Sequence, residues 1–245
     1  MATDLICVAK KSGADCAKFQ IWKTDRFVAK SSPQYESFKS MEFDKNSWRK
    51  IKATCDEIKI DFMASAWDEY SVDFLDSLGV KAFKIGSGDL TYEPMVRAVA
   101  EKGKPVFLST GMADSQEILR ALMWLRYGKT GITLMKCTVD YPCSEDDVNL
   151  RGMQSLGFKH CSKGFSDHTK GHIAACMAVA MGATCVEKHF TIKETEDAIG
   201  AEQFKDWVEK VRQAERIMGS AELKTFACEE KWKPIARRGE SELRE

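Results

Sequence analysis

The chain has 245 residues, with 37 Lys plus Arg against 37 Asp plus Glu and 44% hydrophobic residues. A formal net charge of zero supplies no long-range pull toward polyanions, which argues against nucleic acid and anionic membrane as partners. Nine Cys, an odd number with no Cys-x-x-Cys pair, argue against a disulfide or zinc framework and for a reduced, cytoplasmic setting.

The first predicted element is a helix over 4–12, closed by Ser12-Gly13-Ala14-Asp15, and a strand over 17–22 follows with Lys18 and Gln20 on one face. An amphipathic helix over 44–57 leads to a strand over 61–67 that carries Ser65. The helix over 69–78 stops at Gly79, and the strand over 82–87 runs Lys84 into Gly86-Ser87-Gly88-Asp89. A helix over 92–102 precedes a strand over 105–109 that ends in Ser109-Thr110-Gly111. Asp114 or Ser115 caps a helix over 115–127, and a strand over 132–138 ends in Cys137-Thr138. A short helix over 148–156 leads to a strand over 163–166 and Ser166-Asp167-His168; an apolar helix over 171–181 leads to a strand over 185–190 with Glu187-Lys188-His189. The last helix spans 201–218, and a charged tail over 220–245 holds Pro234, Arg237 and Arg238.

Strand alternating with helix implies right-handed crossovers and a parallel sheet. Chemistry-bearing residues at strand ends are the signature of a (β/α)8 TIM barrel, a fold of about 250 residues. Such a barrel closes with eight strands, and seven are found, so the expectation is an incomplete barrel: one left open along a side, or one whose first strand precedes Met1. The domain is expected over 1–219, with 220–245 as a tail or linker. Residues 1–11 lack an export signal, and the apolar run 173–186 is too short to span a bilayer, which needs about 20 residues.

His168 and His189 end two consecutive strands, about 4.8 Å apart in the pairing direction. Either each is a hydrogen-bonded histidine at the rim, or the two share a divalent ion; Ser166, Asp167 and Glu187 beside them favour the second. Lys18 and Lys84 lie in apolar strands, where a charge needs a partner. Pointing into the mouth, they would neutralise a carboxylate and a phosphate; pointing out, they would pair with acids on the rim. Ser65, Ser87, Ser109 and Ser166 at strand ends supply hydroxyls suited to a phosphate.

The motifs Phe83-Lys84-Ile85-Gly86-Ser87-Gly88-Asp89, Leu108-Ser109-Thr110-Gly111-Met112, Cys137-Thr138 with Tyr141-Pro142, Ser166-Asp167-His168-Thr169 and Glu187-Lys188-His189-Phe190 resemble the sialic acid synthase family. The resemblance implies condensation of phosphoenolpyruvate with an N-acylated amino sugar such as N-acetylmannosamine, giving a nonulosonic acid and phosphate. It implies Mn2+ or Mg2+ on His168 and His189. It implies phosphoenolpyruvate contacts from Lys84, Ser87, Ser109 and Ser166 with Ser65 nearby, and Lys18, Gln20, Asp89 and Tyr141 around the sugar and reaction centre. Glu187 is the remaining candidate for proton transfer.

The chain departs from the family pattern at Asp89, where Glu is common, and over 191–200, which is expected to run straight to the last helix in place of a Gly-Pro-Asp loop. The opening strand and the C-terminal antifreeze-like domain are also expected to be absent, which leaves a homodimer or a complementing subunit as the implied partner. The rival reading is a non-catalytic or split-gene barrel that binds metal and phosphoenolpyruvate but needs another chain for activity. A synthase acting on a phosphorylated aldose is disfavoured by the Ser-Asp-His-Thr and Glu-Lys-His-Phe pair.

Overall fold

Seven short strands carry the architecture of the computed structural model, which describes residues 1–125 and 131–237. They are β1 (Cys16–Ile21), β2 (Asp61–Ala66), β3 (Phe83–Ile85), β4 (Val106–Ser109), β5 (Ile132–Cys137), β6 (Cys161–Asp167) and β7 (Cys185–Lys188). Each pairs in parallel with the next in chain order. The register aligns Gln20 with Ser65, Ser65 with Lys84 and Ser166 with Glu187, while Lys84 pairs with Phe107 and Ser109 with Met135, so the polar ends step forward by two residues at β4 and again at β6, the stagger of a curling sheet.

The helices are α1 (Ala2–Lys11), α2 (Thr24–Phe27), α3 (Tyr35–Met41), α4 (Lys45–Ile58), α5 (Glu69–Ser77), α6 (Glu93–Glu101), α7 (Ser115–Leu125), α8 (Ile173–Ala180), α9 (Ala201–Met218) and α10 (Lys233–Ala236). Their starts follow from side-chain capping. Asp44 and Asp68 accept from Ser47 N at 2.7 Å and Ser71 N at 2.8 Å, and Asp114 exchanges a reciprocal pair with Glu117. Gly79 (φ 72°) stops α5 in the left-handed region where other residues are strained. The apolar face of α6, with Met95, Val96, Val99 and Ala100 buried, illustrates how each crossover helix seals the outside of the sheet.

Glu187 on β7 lies 3.9 Å from Lys18 on β1 and 3.4 Å from Lys84 on β3. One side chain reaches both only because the sheet curls, bringing first and last strands to face each other. Among the described residues β1 and β7 form no ladder with one another. The result is the expected α/β barrel of seven strands, closed in curvature but not in hydrogen bonding.

Several local expectations change. The segment expected as a helix over 148–156 is a 3-10 helix over Leu150–Leu156, because Asn149 takes a left-handed conformation (φ 43°) and Gly152 weakens any α-turn. The short helices α2 and α3 carry too few apolar residues to show a period; α3 buries none. The tail contains a 3-10 turn over Glu230–Trp232 and then α10. Residues 126 and 127 of the helix expected over 115–127, and Arg238 with the rest of 238–245, lie outside the described residues. Among the described residues no helix is long and apolar enough to cross a membrane.

Candidate active site

Strand alternation places Lys18 and Gln20 of β1, Ser65 of β2, Lys84 of β3, Ser109 of β4, Ser166 of β6 and Glu187 of β7 toward the mouth of the barrel. The hub is Glu187. Its Oε1 accepts from Ser166 Oγ at 2.6 Å and lies 3.4 Å from Lys84 Nζ, while Oε2 is 3.9 Å from Lys18 Nζ. Lys84, with a side chain only 3% exposed, also donates to Ser109 Oγ at 2.6 Å and to Ile85 O at 3.2 Å. The alternative that Lys18 and Lys84 turn out to the rim is thereby settled, since both meet Glu187 inside.

Burial pushes the Glu187 carboxyl up, but Lys18 and Lys84, with the Ser166 hydrogen bond and His189, hold it well below the usual carboxylate range. Burial pushes the Lys84 ammonium down, opposed by Glu187. Two ammonium groups around one carboxylate leave an excess positive charge beside the Ser109 and Ser166 hydroxyls, which would attract an anion.

Ser87 and Asp89 sit in the 3-10 turn that follows β3. Ser87 Oγ accepts from Gly111 N at 3.0 Å, tying this turn to the end of β4. A Cβ on Gly111 would fall 2.5 Å from Val139 Cγ2 and 2.8 Å from Ser87 Oγ, so only glycine lets the two loops close. Burial raises the Asp89 carboxyl to about 6, with Lys84 opposing, which places a proton-exchanging acid near neutrality. Gln20 and Ser65 lie at the same level on β1 and β2, Ser65 buried and Gln20 exposed.

His168 and His189 stack with ring centroids 5.4 Å apart, and Tyr141 lies 4.2 Å from the first and 5.8 Å from the second. His168 Nδ1 donates to Thr138 O at 2.7 Å. Ser166 spends its proton on Glu187, so the 3.4 Å approach of its Oγ leaves the His168 Nε2 lone pair free. A ring N–H donated to a carbonyl is how metal-ligating histidines are normally held. Metal–imidazole bonds of about 2.1 Å would place the centroids of two ligands roughly 5 Å apart; this pair stands at 5.4 Å with its rings 26° from parallel. Burial lowers both imidazoles, His189 to about 4, so both are neutral and available as ligands at neutral pH. Among the described residues no cluster of three or more His, Cys, Asp and Glu forms a cage. An ion here would take two imidazoles and complete its shell with oxygen from water or substrate, a set that suits Mn2+ better than the strictly oxygen-seeking Mg2+.

Of the expected residues, Lys18, Lys84, Ser109 and Ser166 therefore gather around Glu187, directly or through Lys84, and His168, His189 and Tyr141 lie beside them. Sequence reasoning missed three parts. Buried Cys137 lies 3.8 Å from His168 Nδ1, its thiol raised by burial. Residues 191–200 are not a direct connection: Phe190 bridges Ile199, Thr191 N donates to Ile199 O at 2.9 Å, and the folded-back loop lines a cavity with both histidines. Backbone pairing of that kind leaves no compositional mark. The third is the Asp167–Lys188 pair behind the histidines, at 3.2 Å; its residue types were visible within the motifs, its partnership was not.

Known proteins resemble this chain in sequence and in fold. The chain is 38% identical over 250 residues to the N,N'-diacetyllegionaminic acid synthase of Legionella pneumophila, covering 91% of this chain and 70% of the relative. It is 31% identical to the human N-acetylneuraminate-9-phosphate synthase, with 94% and 70% covered. The crystal structure of the N-acetylneuraminic acid synthetase from Leptospira borgpetersenii superposes with a TM-score of 0.87 at 28% identity, over 97% of this chain and 87% of that one. The family model described as NeuB matches residues 5–223, and the chain belongs to the NeuB family.

Proposed function

We propose that this chain condenses phosphoenolpyruvate with an N-acylated amino sugar to give a nonulosonic acid and inorganic phosphate. The observation that carries this reading is the partly buried assembly in which Lys84, Lys18 and Glu187 adjoin the His168/His189 pair at one barrel mouth. The acid products named for the relatives in three organisms belong to this class.

Phosphoenolpyruvate brings a carboxylate and a phosphate, two anions that Lys18, Lys84 and the Ser87, Ser109 and Ser166 hydroxyls would receive. A divalent ion on His168 and His189 would polarise the aldehyde of the open-chain sugar as a Lewis acid. Carbon 3 of phosphoenolpyruvate attacks that aldehyde, water adds to the cation left at carbon 2, and the tetrahedral adduct expels phosphate by carbon–oxygen cleavage. When the substrate anions take over the lysines, Glu187 loses the charges that hold it ionised and becomes a stronger base for the incoming water. Asp89, poised near neutrality, exchanges a proton with the aldehyde oxygen as it becomes a hydroxyl. Tyr141, beside both histidines and half-exposed, forms the wall for the sugar.

The test is phosphate release by the purified chain with phosphoenolpyruvate, Mn2+ and N-acetylmannosamine or a diacetamido relative. Release that depends on the sugar and disappears in both His168→Ala and His189→Ala is expected. Sugar-independent release, or none with any of these sugars, refutes the assignment; none together with intact Mn2+ binding returns the chain to the non-catalytic reading.

A further inference from the structure

The buried ions behind the histidines are left unused by this chemistry. Asp167 and Lys188 are register partners on β6 and β7, and each directly precedes a histidine of the pair. Their side chains are 0% and 3% exposed, with Lys188 Nζ 3.2 Å from Asp167 Oδ2. Every acceptor position of the carboxylate is engaged. Oδ1 accepts from Thr169 N at 2.9 Å and Thr169 Oγ1 at 2.8 Å, closing a turn around His168, and Oδ2 also accepts from Trp207 Nε1 of α9 at 2.9 Å. Lys188 Nζ donates in addition to Thr169 O. The clamp thus holds the backbone on both sides of His168, ties it to the residue preceding His189, and anchors both to α9.

Charge alone is not what the fold needs here, because apolar residues of similar size commonly replace a buried ion pair without loss. What they do not replace is the acceptor for Thr169 N, Thr169 Oγ1 and Trp207 Nε1, and with it the orientation of the 167–169 turn. The His168 ring must keep Nδ1 on Thr138 O, with Nε2 3.4 Å from Ser166 Oγ and the ring 5.4 Å from that of His189, and a small turn of the 167–169 backbone would undo this placement. We infer that Asp167 and Lys188 are positioning residues that set the separation and tautomer of the histidine pair, and so its affinity for a divalent cation. This rests on the metal-site reading under Proposed function for its binding arm, and on geometry alone for its spectroscopic arm.

The experiment uses Lys188→Met and the doubly apolar Asp167→Leu/Lys188→Met, the second serving where an unpaired Asp167 prevents folding. Mn2+ affinity is read by electron paramagnetic resonance, and the His168 tautomer by nitrogen-15 NMR of the metal-free chain. Expected are a 10- to 100-fold weaker Mn2+ affinity and a mixed His168 tautomer in place of the Nδ1–H form. A folded variant that keeps the single Nδ1–H tautomer and a parent-like Mn2+ affinity overturns the inference, whatever its melting temperature. A parent chain that binds no Mn2+ refutes the metal reading instead, and the tautomer comparison alone then decides the positioning role.

Discussion

The pair Lys84–Glu187 offers a direct measure of how the proposed anion site is held ready. At 3.4 Å and an effective dielectric constant of about 20, the two charges attract by about 5 kcal/mol. Part of this is offset by desolvation, and each ion keeps other partners: Ser109 and Ile85 for Lys84, Ser166 and Lys18 for Glu187. A double-mutant cycle with Lys84→Met and Glu187→Gln, followed by urea unfolding at neutral pH without phosphate, isolates the pairwise part. Lys84→Met leaves Glu187 with Lys18 as its one remaining cation and Glu187→Gln leaves Lys84 without a counter-ion, so each should lose up to about 3 to 5 kcal/mol. Glu187→Gln should be the worse, because it leaves two ammonium groups facing each other. The coupling is expected at about 2 to 3 kcal/mol, the upper range for contacting residues. Inorganic phosphate should restore the Glu187→Gln chain preferentially, since it replaces the lost negative charge. A coupling below about 1 kcal/mol, the range of exposed pairs, would show that water reaches the ions and that the pocket is not preorganised.

Other outcomes follow from single positions. Lys84→Ala should raise the apparent KM for phosphoenolpyruvate about tenfold or more, since a charge-assisted hydrogen bond contributes about 1.5 to 3 kcal/mol; an unchanged KM in steady-state assays would remove Lys84 from the substrate. Gly164→Ala places a Cβ 2.9 Å from Cys185 O and should cost about 1 to 3 kcal/mol by wedging β6 from β7, whereas Gly88→Ala meets nothing within 4 Å and should be near neutral in the same urea titration. Folding raises the Asp89 carboxyl to about 6, so the stability it contributes is fully present below the ordinary carboxylate range and is lost as pH rises through about 6. Asp89→Asn should remove about 2 to 3 kcal/mol of that decline between pH 4 and pH 7; an identical pH dependence in parent and variant would contradict the burial that causes it.

Strand order, parallel direction and the polar residues that end each strand were legible because period and punctuation are local properties. An apolar run of four to six residues, a helix ended by a residue such as Gly79, and a cap such as Asp114 each report their own neighbourhood. Short exposed elements such as α3 escaped for the same reason, having no buried face to impose a pattern. Lys84 announced itself as a charge inside an apolar strand, but its direction did not, because a lysine can turn inward or outward from the same backbone.

What the linear chain determined by itself was the set of elements and which residues end them, since those depend on side-chain period, capping and turn chemistry. What only the tertiary structure decided was who faces whom. Curling of the sheet brought Glu187 between Lys18 and Lys84, although 169 and 103 positions of chain separate them. The fold also chose the His168 tautomer through Thr138 O, laid 194–199 over the histidines, and paired Asp167 with Lys188. These are contacts across strands and loops, set by curvature, register and burial, and no residue carries them in its own neighbourhood.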